Sequence, residues 1–146
     1  MSTSPERPPV AATEPEVAGP TRAEEDRRLL IRYHRHADQA AREQLVERLL
    51  PLARDRGIAV MVNRPFRQQA LIRRFEGVAL PGWADEIGAS SWAQFILKFI
   101  LSHPAVTVAI PATTRIDHVR ENIAAAADPL PNEAMRRRMV AHIREF

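Results

Sequence analysis

One stretch of the chain constrains its fold more than any other: residues 106–122, Val-Thr-Val-Ala-Ile-Pro-Ala-Thr-Thr-Arg-Ile-Asp-His-Val-Arg-Glu-Asn. Its alternating β-branched residues predict a short buried strand over residues 106–110. Pro111 ends that strand because proline has no N–H to donate to a neighbouring strand. Residues 113–115, two threonines and an arginine, then stand at a predicted helix start, where free N–H groups and the helix dipole favour an anion. The stretch predicts a phosphate-holding turn, with an ordinary strand-to-helix turn as the alternative.

A second apolar run, residues 57–66, lies between a glycine and a proline and predicts a parallel strand over residues 58–63 that is buried on both faces. Between the two runs, apolar residues recur at the spacing of a core-facing helix over residues 92–102, with Ser90 or Ser91 as its cap. These three elements predict a parallel strand–helix–strand unit with a right-handed crossover. Residues 67–75 predict a short helix or a loop, and residues 76–89 predict a loop with one helical turn at residues 83–87. Two further helices are predicted over residues 116–127 and 132–144.

The amino-terminal half has a different character. Residues 22–56 are dense in charge, with apolar residues spaced by three and four, which predicts two amphipathic helices. Asp38 is the predicted N-cap of the second helix and Gly57 its C-cap, while Pro51 is expected to kink or shorten it. Residues 1–21 are rich in Pro, Ser, Thr, Ala and Glu and have no periodicity, so we predict a disordered tail.

Composition excludes several classes of protein. The chain has 146 residues and no cysteine, so disulfides, thiolate chemistry and cysteine-based zinc sites are excluded, and we expect a reducing, cytoplasmic location. No apolar run approaches the ~18 residues of a membrane span, and no apolar segment marks a secretory signal. The net charge of +3 is modest and the basic residues alternate with acidic ones, so nucleic-acid binding is not required.

Residues 29–54 read Leu-Leu-Ile-Arg-Tyr-His-Arg-His-Ala-Asp-Gln-Ala-Ala-Arg-Glu-Gln-Leu-Val-Glu-Arg-Leu-Leu-Pro-Leu-Ala-Arg. This segment resembles the start of region 2 in bacterial alternative sigma factors of the stress and sporulation group. The correspondence lies in the short helix, the Ala-Asp break and the Leu-Val-Glu-x-x-Leu-Pro-Leu run. It implies a helical module, the sigma-like segment of residues 22–56, that docks on RNA polymerase. The part of region 2 that melts promoter DNA does not follow, so we expect no promoter recognition.

From about Leu45 to its end, the chain resembles the C-terminal part of aldo/keto reductases. Four motifs carry the resemblance in this order: Leu-Pro-Leu-Ala-Arg-Asp-Arg-Gly-Ile-Ala-Val-Met-Val-Asn-Arg-Pro-Phe, Ser-Ser-Trp-Ala-Gln-Phe-Ile-Leu-Lys-Phe-Ile-Leu-Ser-His-Pro, Val-Ala-Ile-Pro-Ala-Thr-Thr and His-Val-Arg-Glu-Asn. The resemblance implies the last two strands of a (β/α)₈ barrel, whose following loops commonly hold a phosphate, and NAD or NADP as the cofactor. The predicted fold is therefore α/β but mostly helical: a disordered tail (1–21), a helical hairpin (22–56) and a partial TIM barrel, a (βα)₂ fragment (57–146).

The resemblance also assigns cofactor-binding residues. They are Arg64, Pro65, Phe66, Ile110, Pro111, Ala112, Thr113, Thr114, Arg115, His118, Glu121 and Asn122. Arg64 begins a match to the family's turn beside the pyrophosphate, and the residues from Ile110 onward match its loop at the adenosine-phosphate end. Two departures matter, because Ala112 stands where NADP-preferring members often have Lys and His118 stands where the family often has Arg. The choice between NADP and NAD therefore stays open.

No position matches the catalytic Asp, Tyr, Lys and His of the family. The single Tyr, Tyr33, lies in the sigma-like segment with His34 and His36, and the single Lys, Lys98, lies in a helix expected on the outside of the barrel. Hydride transfer to a carbonyl needs an acid to protonate the oxygen, so we expect no catalytic residues and no turnover. We predict no metal site.

Both resemblances include residues 45–56, and we hypothesise a chimera joined there; one intact small protein is the alternative. Two strands would leave open edges and an apolar face that six missing barrel strands should cover, so marginal stability or self-association is expected. Three functions stay open. They are an oxidoreductase-family fragment that keeps the cofactor-phosphate loop, a sigma-like module on RNA polymerase, and an inactive product without a ligand.

Overall fold

A computed structural model describes residues 19–146, so most of the tail predicted over residues 1–21 lies outside the described residues. In chain order the elements are α1 (Arg22–His36), α2 (Gln39–Asp55), β1 (Met61–Asn63), α3 (Ala70–Arg73), a 3₁₀ helix (Gly82–Ile87), α4 (Trp92–Leu101), β2 (Val108–Ile110), α5 (Ile116–Ala124) and α6 (Glu133–Ile143). The described residues form two compact units, which divide between Leu45 and Val46. None of the described helices is both long and apolar enough to cross a membrane.

In the first unit, local hydrogen bonds set the helix ends. Thr21 caps α1: its N–H donates to Glu24 Oε2 at 2.8 Å, and Glu24 N–H donates to Thr21 Oγ1 at 3.3 Å. The hydrogen bond from the Thr21 backbone lowers the pKa of Glu24. Ala37 ends α1 with a left-handed backbone, φ 50°. The reciprocal hydrogen bonds between Thr21 and Glu24 satisfy two backbone N–H groups that a helix start otherwise leaves free.

Helix α2 starts as predicted from Asp38. Its Oδ1 accepts from Ala41 N–H at 3.0 Å, and its Oδ2 lies 2.6 Å from Arg32 Nη2. The N–H of Ala41 is the main reason that the pKa of Asp38 is lowered. A small apolar core in this unit consists of Leu29, Tyr33, Ala41 and Leu45.

The second unit contains the two strands, which are parallel as predicted. Met61 pairs with Val108 and Asn63 with Ile110. The predicted lengths and the predicted burial are wrong, because each strand keeps only three residues and Met61 is 62 % exposed. A strand is buried on both faces only when other layers cover it. Within residues 19–146, β1 and β2 form a two-stranded sheet by themselves.

The core of this unit surrounds α4. Ser91 is its N-cap and accepts from Gln94 N–H at 3.2 Å, which confirms one of the two predicted caps. Phe75 stacks on Trp92 with ring centroids 4.1 Å apart, and Trp92 Nε1 donates to the Val78 carbonyl at 2.8 Å. The buried members of this core are Phe75, Ala84, Ile87, Ala89, Trp92, Phe95, Ile96 and Met139.

Helix ends differ from prediction by up to three residues, the largest difference being at α5, which ends at Ala124 instead of residue 127. Gly57 follows α2 with φ +63°, as predicted, and Pro51 lies inside that helix without ending it. Arg136 on α6 contacts the end of α4: its Nη1 donates to the carbonyl of Phe99 and, at 2.7 Å, to Ser102 Oγ. The last carbonyls of a helix lack partners inside the helix, and Arg136 supplies a donor to one at the end of α4.

Candidate functional site

Two turns meet at one edge of the sheet. The chain leaves β1 at Arg64 and leaves β2 at Pro111, and the pairing of Asn63 with Ile110 makes these turns neighbours because the strands are parallel. Two adjoining cavities open there, of about 680 Å³ and about 400 Å³. They share the lining residues Phe66, Gln69, Arg73 and Ala112.

Every residue predicted to bind the cofactor lines one of these cavities, except Ile110. The larger cavity is lined by Phe66, Ala112, Thr113, Thr114, Arg115, His118, Glu121 and Asn122. The smaller cavity is lined by Arg64, Pro65, Phe66, Pro111 and Ala112. Ile110 lies in β2, lines neither cavity and is 41 % exposed.

The turn after β1 has an unusual backbone. Four of its non-glycine residues have positive φ: Arg64 (54°), Arg67 (49°), Gln68 (56°) and Gln69 (71°). Each such residue costs about 1–2 kcal/mol, and strain of this kind concentrates at functional sites. Hydrogen bonds hold the turn, with Arg67 N–H donating to the Arg64 carbonyl at 2.9 Å and Leu71 N–H to the Phe66 carbonyl at 3.2 Å. Residues of this strained turn line both cavities, and Phe66 and Gln69 are common to the two.

Sequence reasoning missed Gln69 and Arg73, which line both cavities. Nothing in the sequence Arg-Gln-Gln-Ala predicts three successive left-handed residues, so these side chains could not be assigned to the edge of the sheet. Sequence reasoning also missed Ser91 and Trp92, which line the larger cavity and to which the sequence assigns only a helix cap and a core position. The signal that could have identified them is their place at the start of α4, directly after the preceding loop.

The turn after β2 leads into α5. Arg115 is the N-cap residue of that helix, and its N–H donates to Thr113 Oγ1 at 3.2 Å. The same hydroxyl lies 3.4 Å from His118 Nδ1. The predicted strand–turn–helix arrangement is thus present, and the Thr113 hydroxyl contacts the backbone N–H of Arg115 and the side chain of His118.

The Arg115 guanidinium is paired with a carboxylate. Its Nε lies 3.1 Å from Asp117 Oδ1 and its Nη2 lies 2.5 Å from Asp117 Oδ2. This bidentate hydrogen bonding lowers the pKa of Asp117 to about 2 and raises the pKa of Arg115. Both groups stay charged at neutral pH, and the carboxylate offsets the charge that Arg115 brings to the cavity.

Hydrogen bonds at the larger cavity join the start of α4 to α5. Ser91 Oγ donates to Glu121 Oε1, and Gln94 Nε2 donates to the Glu121 carbonyl at 3.4 Å. Gln94 is buried, and its Oε1 accepts from Ser90 Oγ at 2.8 Å. This network fixes the Glu121 carboxylate at the wall of the larger cavity.

The charges of the two cavities differ. Arg64 and Arg73 line the smaller cavity, which has no carboxylate in its lining. The larger cavity has Arg73 and Arg115 together with Glu76 and Glu121. Within residues 19–146, no carboxylate forms a salt bridge with Arg64 or Arg73. The smaller cavity is therefore the more positive of the two.

The side chains excluded from catalysis have structural surroundings. Tyr33 packs against the core of the first unit. Lys98 is 1 % exposed, and its Nζ donates to the carbonyls of Ala127 at 2.7 Å and Pro129 at 3.2 Å. Burial lowers the pKa of Lys98. No group of three or more His, Asp or Glu side chains suited to a metal ion occurs among the described residues.

Comparisons with known proteins agree with part of the sequence analysis. A relative in Schizosaccharomyces pombe, the uncharacterized oxidoreductase C215.11c, is 30 % identical over 87 residues, which is 60 % of this chain and 28 % of the relative. The chain thus spans less than a third of that relative's length. No solved structure matches the chain.

The model of the aldo/keto reductase family matches residues 33–141. The match begins inside α1, ahead of Leu45, and includes much of the sigma-like segment, for which these comparisons give no support. The chimera therefore stays a prediction, and the matched residues cross its predicted joint. Because the match covers more than half of the sequence, the chain belongs to the aldo/keto reductase family.

Proposed function

We propose that this chain provides the part of an aldo/keto reductase that holds the adenosine and phosphate groups of a nicotinamide cofactor, NAD or NADP. The observation that carries the proposal is the meeting of two turns, one after each parallel strand, around two adjoining cavities. Both volumes fall in the range of about 300–1,000 Å³ that is usual for small-molecule sites.

The charged groups fit a diphosphate. Arg64 and Arg73 line the smaller cavity without a paired carboxylate among residues 19–146, and a guanidinium can bind phosphate oxygens with two parallel hydrogen bonds. In the larger cavity, Thr113 and Thr114 offer hydroxyl groups beside the start of α5, where backbone N–H groups favour an anion. We therefore assign the diphosphate to the smaller cavity and the adenosine end to the larger one.

The proposal assigns binding to this chain and no turnover. A bound nicotinamide cofactor would supply the hydride, whereas the residues here would hold and orient its distal end. Tyr33 and Lys98 have the packing roles described above, so neither is assigned as a proton donor. Any carbonyl substrate would have to meet the cofactor outside the residues that we assign.

Titration with NAD⁺ and NADP⁺ tests the proposal. Trp92 lines the larger cavity, so its fluorescence should change on binding, and calorimetry should confirm the dissociation constant. Arg73→Ala should weaken binding of both nucleotides about tenfold, as expected for one charge-assisted hydrogen bond. Arg137→Ala is the matched control, because Arg137 is exposed and pairs with Glu133 on α6. Absence of binding at about 10 mM of either nucleotide would overturn the proposal.

The alternative is a helical module on RNA polymerase formed by the sigma-like segment. Exposed Leu30 and Ile31 on α1 are the feature that favours it. Retention of the chain by core polymerase, lost on Ile31→Asp, would support this alternative, and no retention would remove it. Self-association through the strand edges stays a prediction that sedimentation velocity can test.

A further inference from the structure

The Arg115–Asp117 pair has a consequence for which nucleotide the proposed site accepts. Arg115 lines the larger cavity. Asp117 does not line it, but its carboxylate is hydrogen-bonded to the Arg115 guanidinium. The pair is bidentate, with contacts of 3.1 Å and 2.5 Å, so Asp117 occupies one edge of the guanidinium fork. A phosphate that binds Arg115 in the same way would compete with this carboxylate for the same N–H groups.

The charge of the larger cavity also opposes an additional anion. Its lining contains two arginines together with Glu76 and Glu121, and Asp117 beside the cavity adds a third carboxylate. The Glu121 carboxylate is held in place by the hydroxyl of Ser91. A phosphate monoester carries about −1.5 to −2 charges at neutral pH and would meet a net negative surrounding. The smaller cavity, with Arg64 and Arg73, has the opposite character.

We propose that Asp117 determines cofactor specificity by pairing with Arg115, so that the chain binds NAD in preference to NADP. This inference rests on the proposed function, and it adds the residue that selects between the two cofactors. NADP carries a 2′-phosphate on its adenosine ribose, and NAD does not. Asp117 is a positioning residue, because it acts on this phosphate through Arg115. Specificity here arises from a carboxylate placed against the wrong ligand as well as from contacts to the right one.

The test compares NAD⁺ and NADP⁺ binding to the full chain by calorimetry. Wild-type protein should bind NAD⁺ more tightly. Asp117→Asn should tighten NADP⁺ binding about fivefold, which corresponds to the upper range of interaction energies for exposed ion pairs. NAD⁺ binding should stay within about a factor of two of the wild-type value. Asp55→Asn is the matched control, because Asp55 makes a similar exposed pair with Arg54 and lines neither cavity. It should change neither affinity.

A second variant tests whether Asp117 acts through Arg115. In an Arg115→Ala background, Asp117→Asn should no longer improve NADP⁺ binding. An undiminished gain in that background, an equal change for both nucleotides, or a wild-type preference for NADP⁺ would each overturn the inference while the proposed function stands. If neither nucleotide binds to wild-type protein, the proposed function fails and the inference fails with it.

Discussion

Ser91 offers the most informative single substitution, because it joins helix formation to the candidate site. Its Oγ accepts from Gln94 N–H at 3.2 Å as the N-cap of α4, and it also donates to Glu121 on α5. Ser91→Ala removes both hydrogen bonds and leaves the backbone unchanged. We expect a loss of stability that exceeds the loss of a cap alone.

The magnitude follows from the two contacts. Removing a serine cap costs about 1 kcal/mol. A hydrogen bond to a carboxylate contributes about 1.5–3 kcal/mol when it is buried. Glu121 is half-buried and can be hydrated in the variant, so we take about 1 kcal/mol for this contact. The free energy of unfolding should therefore fall by about 2 kcal/mol.

Asn132→Ala is the matched control. Asn132 caps α6 by accepting from Met135 N–H at 2.9 Å, and it has no second side-chain contact of the kind that Ser91 makes within the described residues. This variant should lose about 1 kcal/mol, about half of the loss for Ser91→Ala.

Urea unfolding measures both losses. Trp83 and Trp92 both lie in the second unit, so tryptophan fluorescence reports its unfolding, and circular dichroism at 222 nm checks that the transitions coincide. Equal losses for the two variants would refute our account of the Ser91–Glu121 contact. So would a Ser91→Ala loss that stays the same in a Glu121→Ala background, because two residues that share a hydrogen bond should couple.

Three further predictions concern buried and charged groups. An amine-reactive reagent should modify Lys98 only after denaturation, since Lys98 is buried; mass spectrometry that finds Lys98 modified in native protein would contradict this. Phe95→Ala should lower the free energy of unfolding by about 4 kcal/mol in urea titrations, and a loss below about 1 kcal/mol would be inconsistent with its burial. Because the pKa of Asp38 is below its ordinary 3.8 when folded, its contribution is complete above that value and is lost as pH falls through the folded pKa. Asp38→Asn should flatten the acid loss of helical circular dichroism, and an unchanged acid profile would refute the cap.

Local signals predicted the helices well. Asp38 and Ser91 cap helices through their own side chains, and Gly57 supplies a left-handed residue after α2, so the information lies within a few residues of each boundary. The residues between Ala112 and Asn122 that the sequence assigned to one loop line the larger cavity together for the same reason. A strand, a proline turn and a helix start determine one another over a short distance.

Other features depend on distant parts of the chain. The strands are shorter and more exposed than predicted, because strand length and burial depend on neighbouring strands and layers rather than on β-branched residues alone. Arg73 reaches both cavities through a strained turn that has no sequence signature. The sequence predicted Arg115 at an anion-binding position, but its pairing with Asp117 could be seen only from the side-chain geometry.

The most direct test of our account is an amide chemical-shift map of the ¹⁵N-labelled chain titrated with NAD⁺. We predict shifts concentrated in residues 64–73 and 112–122, the two turns that line the cavities, with small changes on α1 and α6. Arg73→Ala should weaken the titration without moving the affected region. Shifts centred elsewhere, or no shifts at about 10 mM nucleotide, would contradict the assignment of this edge of the sheet as a cofactor site.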